Sequence, residues 1–346
     1  MTIITPPLGG SLDTLPPAFS ADQVADLAAR HWGLTGRLSP LTSERDLNHH
    51  LAGPQGGFVV KIANLAEGHG IQRMQNRALR HIAAQDAGLP VPRVVAALDG
   101  QDDVVLPDGH LMRVLTWLDG VPLHAAPQSP AQSVALAQML ARLTRALSGF
   151  ADSGADHILQ WDIKNAAQLV ALLDDISDPV ARDLCADVLH RFAASVAPHL
   201  PRLRWQVVHS DLNPHNVLVD PAAPDRVAGI LDFGDMVRTP LVCDLAVAAA
   251  YRIDREDALG SLTRFAAAYH AVNPLTRDEL GVYFDLVAAR MVTTIAIASW
   301  RAAKYPENAP YILRNFPSAR AGLQSLAALD PVEVAAALSS ACPVAR

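Results

Sequence analysis

The sequence predicts an α+β chain in two lobes, a small β-rich first lobe and a larger, mainly helical second lobe, and three observations predict it. At 346 residues the chain exceeds the roughly 250–300 residues at which a single hydrophobic core stops growing. Its first 118 residues alternate short strand-like runs with Gly/Pro turns around one or two helical segments. The rest repeats apolar residues at helical spacing and is broken by one strand-rich insert at 205–232. Residues 1–19 accordingly read as a loose arm, 20–118 as the first lobe and 119–346 as the second.

Composition narrows the function classes. Half of the residues are hydrophobic and 18% are charged, which is too apolar for intrinsic disorder. With 28 Lys+Arg against 35 Asp+Glu the formal net charge is −7, so the footprint of a general nucleic-acid binder is missing and no nucleic-acid partner is expected. Cys185, Cys243 and Cys342 are odd in number and widely spaced, with no C-x-x-C pair. That argues against a disulfide framework or a zinc knuckle and fits a reducing, cytoplasmic setting. The opening MTIITPPLGG has no basic region and no apolar stretch long enough for a signal peptide. Residues 241–251 and 286–300 are the most apolar later segments, but Asp244, Arg290 or Thr293 interrupts them. They fall short of the ~20 apolar residues of a membrane span, so they read as core helices and no membrane partner is expected.

Taken in order, Ser20-Ala21-Asp22-Gln23 joins an N-cap to a Gln three residues on, a capping-box signature opening a helix to about His31. Residues 38–51 and 57–63 read as two strands around the turn Gly53-Pro54-Gln55-Gly56-Gly57. The second strand carries a single internal charge, Lys61; an unpaired ammonium is costly to bury, so an anion is expected beside it. Ile71, Met74, Ala78, Leu79, Ile82 and Ala83 recur at helical spacing over 70–87, and Gly88-Leu89-Pro90 stops that helix. Strand-like stretches follow at 91–98, 103–106 and 110–118, the last two joined by the turn Pro107-Asp108-Gly109. Helical periods then occupy about 130–150, 164–196, 241–251, 255–272, 276–303 and 330–340. No internal repeat of solenoid period is present.

The insert at 205–232 consists of short β-rich runs, each ending in polar residues, and strand-end loops are where scaffolds hold reactive groups. His209-Ser210-Asp211-Leu212-Asn213-Pro214-His215-Asn216 places an Asp five residues before an Asn, and Asp232-Phe233-Gly234-Asp235 follows a second short hairpin. Phosphoryl transfer from a nucleotide needs this oxygen chemistry. One carboxylate orients the attacking hydroxyl and accepts its proton, while a side-chain amide and a second carboxylate hold Mg²⁺. Singly, each Asp or Asn is explained by turn capping; jointly, H-x-D-x-x-x-x-N followed by D-F-G is a far rarer arrangement.

With these motifs the sequence resembles the aminoglycoside phosphotransferase and choline kinase superfamily, small-molecule relatives of the protein kinases, over about residues 21–330. It is most similar to the hydroxylysine kinase branch at Ser43-Glu44-Arg45-Asp46-Leu47-Asn48, Phe58-Val59-Val60-Lys61-Ile62, Gln75-Asn76, Leu159-Gln160-Trp161-Asp162 and Glu307-Asn308-Ala309-Pro310-Tyr311. The resemblance implies a bilobal protein-kinase-like fold, in which 20–118 binds nucleotide and 119–346 holds the catalytic loop and the acceptor site. It implies Asp211 as catalytic base or hydroxyl-orienting group, Asn216 and Asp232 as Mg²⁺ ligands, and Lys61 on the α- and β-phosphates of ATP or GTP. Residues 43–48, with Ser43 and Asn48, would cover the nucleotide. Residues 113–118, with Arg113 and Thr116, would form the linker under its base. His209 is expected to orient the catalytic loop, Asp244 to anchor it, and Asp235 to assist metal or substrate from just outside. Where related kinases pair the strand lysine with a helix glutamate, helix 70–87 has none and Glu67 precedes it, so Gln75 or another polar residue is expected to substitute. Ser210 stands where a glycine is usual and is small enough to keep the turn.

Trp161, Asp162, Arg290, Trp300, Arg301 and Tyr305 are the residues put forward for acceptor binding, an arginine for a carboxylate and a carboxylate or aromatic face for an ammonium. The expected activity is Mg²⁺-dependent transfer of a nucleotide γ-phosphate to the hydroxyl of a small amino alcohol or hydroxy amino acid, hydroxylysine-like, by a monomer or homodimer. Homoserine, choline, ethanolamine and aminoglycosides are the alternative acceptors. Two other classes stay open: a nucleotide-binding pseudokinase, and a metal-dependent hydrolase built from His209, Asp211, His215 and Asp232.

Overall fold

The computed structural model of the chain describes residues 16–43 and 45–344. Most of the expected arm, residues 1–15, and Glu44 of the nucleotide loop therefore lie outside the described residues. Ser20 opens α1 (Ala21–Trp32) with the expected capping box: its Oγ accepts from Gln23 N while its own N–H donates to Gln23 Oε1, and Gly33 closes the helix in the left-handed region. Then come β1 (Arg37–Leu41), β2 (Leu47–Gly53), β3 (Gly56–Ile62), α2 (His69–Gln85), β4 (Val94–Val95), β5 (Val104–Val105) and β6 (Leu111–Thr116). The stretch read as one strand over 38–51 is thus two antiparallel strands joined by the loop at 42–46. The strands form one antiparallel sheet in the order β1-β2-β3-β6-β4, with β5 also on β6.

Strand alternation assigns the two faces of this sheet. Val60, Ile62, Met112 and Val114 pack with Val24, Ala28 and Trp32 of α1 into a closed apolar cluster. Their neighbours Val59, Lys61, Arg113 and Leu115 take the opposite face, with Lys61 directly across from Arg113. A single strand therefore supplies half a core and one buried cation toward the cleft.

The second lobe holds β7 (Val121–Pro122), α3 (Pro130–Ala146), α4 (Pro179–Arg191), β8 (Trp205–Val208), β9 (Val217–Asp220), β10 (Ala223–Ile230) and β11 (Val237–Pro240). Helices α5 (Leu241–Ala250), α6 (Ala258–His270), α7 (Arg277–Lys304), α8 (Ala309–Ile312), α9 (Phe316–Ala327) and α10 (Pro331–Ala341) complete it. The helical period expected over 164–196 is broken into 3₁₀ turns at Ile163–Asp175, α4, and a π turn at Phe192–Val196. Asp178 caps α4 and Pro179 occupies its first turn, where a proline costs no hydrogen bond. The β9–β10 hairpin adds β7 to make three strands, and β8 pairs antiparallel with β11. These two small sheets hold the ends of the reactive loops against the helices.

Helix α7 is the axis of this lobe. Thr276 and Glu279 form a capping box at its start. It is long and apolar enough to cross a membrane by length and composition, and 83% of its apolar window is buried inside the fold, so its apolarity is spent on core packing. Cys185, Cys243 and Cys342 are buried and free.

Candidate active site

The loop after β8 is held in a strained but over-determined shape. Ser210 and Asp232 are the two non-glycine residues with positive φ among those described, at 66° and 54°, and such conformations cluster where function over-determines them. The Asp244 carboxylate, buried in the first turn of α5, accepts from Ser210 N at 2.8 Å. Burial raises the Asp244 carboxyl above its usual range, and hydrogen bonds to its charged form partly offset this. His209 is buried and spends both ring nitrogens locally. Nδ1 accepts from Asp211 N at 3.2 Å, so Nε2 carries the proton and donates to Leu231 O at 2.8 Å. Its ring also meets Phe233 edge-on. One histidine thus ties the 209–216 loop to the 232–235 loop.

Asp211 projects from this frame into the cleft. Its Oδ2 accepts from Asn213 Nδ2 at 2.9 Å and from Asn216 Nδ2 at 2.8 Å, and its Oδ1 from Arg290 at 3.3 Å. Enclosure in the cleft and the nearby carboxylates Asp235 and Asp232 push its pKa up, against the pull of Arg290 and Asn213. Asn216 Nδ2 also donates to Asp211 O at 2.9 Å. Two acceptors thus fix the amide nitrogen, and the amide oxygen is the end left for a cation.

Lys61 lies between two carboxylates, 3.8 Å from Asp46 and 3.9 Å from Asp232. Of the expected substitutes for the missing helix glutamate, Gln75 or another polar residue, it is therefore the second: Asp46 and Asp232 take that place and Gln75 does not. Gln75 accepts from Arg113 and donates to Gly234 O at 3.2 Å, while Glu67 pairs with Arg45 at 3.3 Å. Enclosure works against the charge on Asp232, but Lys61 and Arg45, with the hydrogen bond from Gly234 N, outweigh it and hold that carboxyl below the usual range. Arg45, from the β1–β2 loop, also reaches Asp235 at 2.7 Å. In the same loop Ser43 Oγ accepts from Asp46 N at 3.2 Å, and on β2 Asn48 Oδ1 is buried without a partner.

These groups line one cavity of about 780 Å³, within the range of small-molecule sites. Leu41, Val59, Leu115, Leu218 and Leu231 give part of it apolar walls beside Thr116 and Trp117, a slot suited to a planar base. Arg113 corrects another expectation. It touches the cavity, but its guanidinium is spent on α2, donating to Asn76 Oδ1 at 3.0 Å and to Gln75. Thr116 sits at the strand end, its Oγ1 accepting from Arg93 N at 2.9 Å. Trp161, Arg290 and Arg301 line the second-lobe end of the cavity, whereas Asp162, Trp300 and Tyr305 do not. Asp162 is buried as the cap of the Ile163–Asp175 turns, bound to Lys164 and to Thr239 Oγ1. Trp300 and Tyr305 instead flank Lys304. Tyr251, which the sequence reading passed over, joins the site one residue beyond α5.

Among the described residues no group of three or more His, Cys, Asp or Glu could hold a metal ion by itself. The hard oxygens of Asn216 and Asp232 nevertheless fit Mg²⁺, which is usually held by one or two carboxylates and completes its shell with substrate phosphates and water.

A kinase-like sheet lobe over a helical lobe, with a carboxylate, an amide and a strand lysine facing one cleft, defines a phosphotransferase acting on small molecules. The chain belongs to the phosphotransferase enzyme family, whose model matches residues 38–283. Hydroxylysine kinase of Danio rerio is 28% identical over 333 residues, covering 90% of this chain and 92% of that protein. Homoserine kinase of Methylobacillus glycogenes is 29% identical over 238 residues, covering 67% and 69%. Among solved structures, amicoumacin kinase in complex with AMP-PNP, Ca²⁺ and Ami superposes with a TM-score of 0.67 at 14% identity, covering 91% of this chain and 97% of that one. That likeness shows the fold, and the chain is a small-molecule kinase.

Proposed function

We propose that the protein transfers the γ-phosphate of ATP or GTP, with Mg²⁺, to the hydroxyl of a small amino-containing metabolite, a hydroxylysine-like hydroxy amino acid in preference to choline, ethanolamine or an aminoglycoside. The observation that carries this reading is the meeting of Asp211, Asn216, Asp232 and Lys61 on one cavity beside an apolar slot. Similarity to hydroxylysine kinase over most of both chains supports the choice of acceptor.

Lys61 binds the phosphates of the donor, and the β1–β2 loop covers them. Asn216 and Asp232 would hold Mg²⁺, which would offset charge on the phosphates when bound. Asp211 holds the acceptor hydroxyl in line. As the acceptor oxygen bonds to the γ-phosphorus, the bond from that phosphorus to the β,γ-bridging oxygen breaks, the nucleoside diphosphate leaves, and the hydroxyl proton passes to Asp211. The hydrolase alternative is disfavoured because both ring nitrogens of His209 are engaged inside the protein, which leaves no lone pair for a metal.

A coupled nucleotide-consumption assay tests the reading, with Mg²⁺ and with ATP and GTP in parallel, against hydroxylysine, homoserine, choline, ethanolamine and aminoglycosides. Saturable turnover is expected with hydroxylysine. Nucleotide binding without turnover of any of these acceptors would overturn the hydroxylysine-like choice and leave either a different acceptor or a pseudokinase.

A further inference from the structure

Arg290 is 3% exposed, midway along α7, yet it lines the cavity. Its guanidinium lies near two aromatic rings, 5.5 Å from the Trp161 centroid and 5.6 Å from that of Tyr251. Its polar contacts are Trp161 O at 3.4 Å, the Tyr251 hydroxyl at 2.9 Å and Asp211 Oδ1 at 3.3 Å. Nε is buried with no partner.

That is an incomplete set for a buried cation. A guanidinium presents five donors in a rigid fork, and its bonds to carboxylates run to about 2.7–2.9 Å when well made. The contact to Asp211 is longer than that, and Nε, on the same side of the fork as Nη2, has nothing to bind. The guanidinium, which lines the cavity, is therefore short of an acceptor, and a second anion that takes an Nη2–H completes its set. Nη2 donates to both Tyr251 and Asp211, so an anion arriving side-on displaces the longer of these two bonds, the one to Asp211.

We propose that Arg290 is the receptor for the carboxylate of the acceptor, and that its engagement there releases Oδ1 of Asp211 to accept the hydroxyl to be phosphorylated. The inference rests on the reading of the site as one that phosphorylates a hydroxy amino acid. It adds a selection rule. Without a carboxylate, Arg290 stays on Asp211 and competes with the incoming hydroxyl, so amino alcohols suffer in turnover as well as in binding. With one, the arginine is satisfied and the catalytic oxygen is free. Trp161 and Tyr251 keep the guanidinium plane fixed while it exchanges partners.

The test compares acceptor pairs that differ only in the carboxylate: hydroxylysine and its decarboxylated counterpart, and homoserine and 3-aminopropanol. Wild type should favour the acid of at least one pair in kcat/KM by about 100-fold or more, as sites built around a polar partner reject analogues that lack it. Arg290→Met should collapse that preference to within about tenfold, lowering the acid and, by freeing Asp211 Oδ1, leaving the amino alcohol unchanged or raised. Arg290→Lys, which keeps the charge without the fork, should fall between. A merely structural arginine would lower both members of a pair equally, and that result would overturn the proposal, as would equal turnover of acid and amino alcohol by wild type. Calorimetric titration of the folded variants with lysine and with cadaverine needs no turnover. Lysine binding that depends on Arg290, with no acceptor phosphorylated, would keep the carboxylate receptor and sink the kinase reading. Phosphorylation of amino alcohols and acids alike would do the reverse.

Discussion

Asp211→Asn separates catalysis from folding because the structure predicts a large effect on the first and a small one on the second. Two amide nitrogens, of Asn213 and Asn216, converge on Oδ2 of Asp211, so the carbonyl of a substituted amide must take that side. Its NH₂ then faces Arg290, where the carboxylate now accepts at 3.3 Å, and two donors are opposed. The variant keeps the shape of the loop but loses its proton acceptor. A positioned general base contributes typically ~10²–10⁴-fold, or about 2.7–5.4 kcal/mol of barrier, and kcat should fall by that factor. Nucleotide affinity, which depends on Lys61 and the apolar slot, should change by less than about tenfold. Folding stability should change by less than about 2 kcal/mol, because two terms oppose each other: a neutral side chain relieves the cost of a carboxylate raised by enclosure and by Asp235 and Asp232, while Arg290 loses its carboxylate contact and faces a donor. The measurements are steady-state kinetics with kcat and KM separated, calorimetric nucleotide binding, and thermal melting. A kcat within about tenfold of wild type would refute the assignment, and a stability loss above about 2 kcal/mol would refute the electrostatic argument.

Three further outcomes follow from named contacts. Lys61→Met leaves Asp46 and Asp232 facing the phosphates without a cation, so kcat/KM for the nucleotide should drop by about 100-fold or more in the coupled assay. Asp244→Ala removes the acceptor that holds Ser210 N in its left-handed turn; a urea melt should show a loss of about 1–3 kcal/mol, accompanied by a fall in kcat. Arg204→Ala strips the partner from Glu279, which is fully buried. Because Arg204 is itself partly exposed, the cost should lie at the lower end for such pairs, about 3 kcal/mol, with kcat unchanged at ambient temperature.

Legibility in the sequence tracks how local each arrangement is. The 209–216 and 232–235 loops can be read because each is a contiguous motif at a strand end, and Lys61 because one charge in an apolar strand needs an anion. Its partners could not be read: Asp46 and Asp232 arrive from separate loops, and Arg45 meets Asp235 across 190 positions of sequence. Arg113 was assigned to the base-binding linker by its position in 113–118, but strand alternation puts it on the face of Lys61, toward α2. Asp162 carried a signal that points the other way, since an Asp two residues before the N–H it accepts is a cap. Tyr251 ends the apolar run of α5 and gave no sign of facing the cavity; only the crossing of α5 and α7 brings it to Arg290.

The left-handed turn at Ser210 bears on how such sites drift. A serine there costs about 1–2 kcal/mol in conformation relative to a glycine, and the roughly 0.5–1 kcal/mol that a glycine loses on ordering offsets part of it. What is left is about the size of one buried hydrogen bond, so the contacts around the turn can carry the exchange. What fixes the turn is the carboxylate of Asp244 beneath it and the imidazole of His209 before it. A lineage can lose the glycine and keep the chemistry, and a search that demands the glycine would pass over working enzymes.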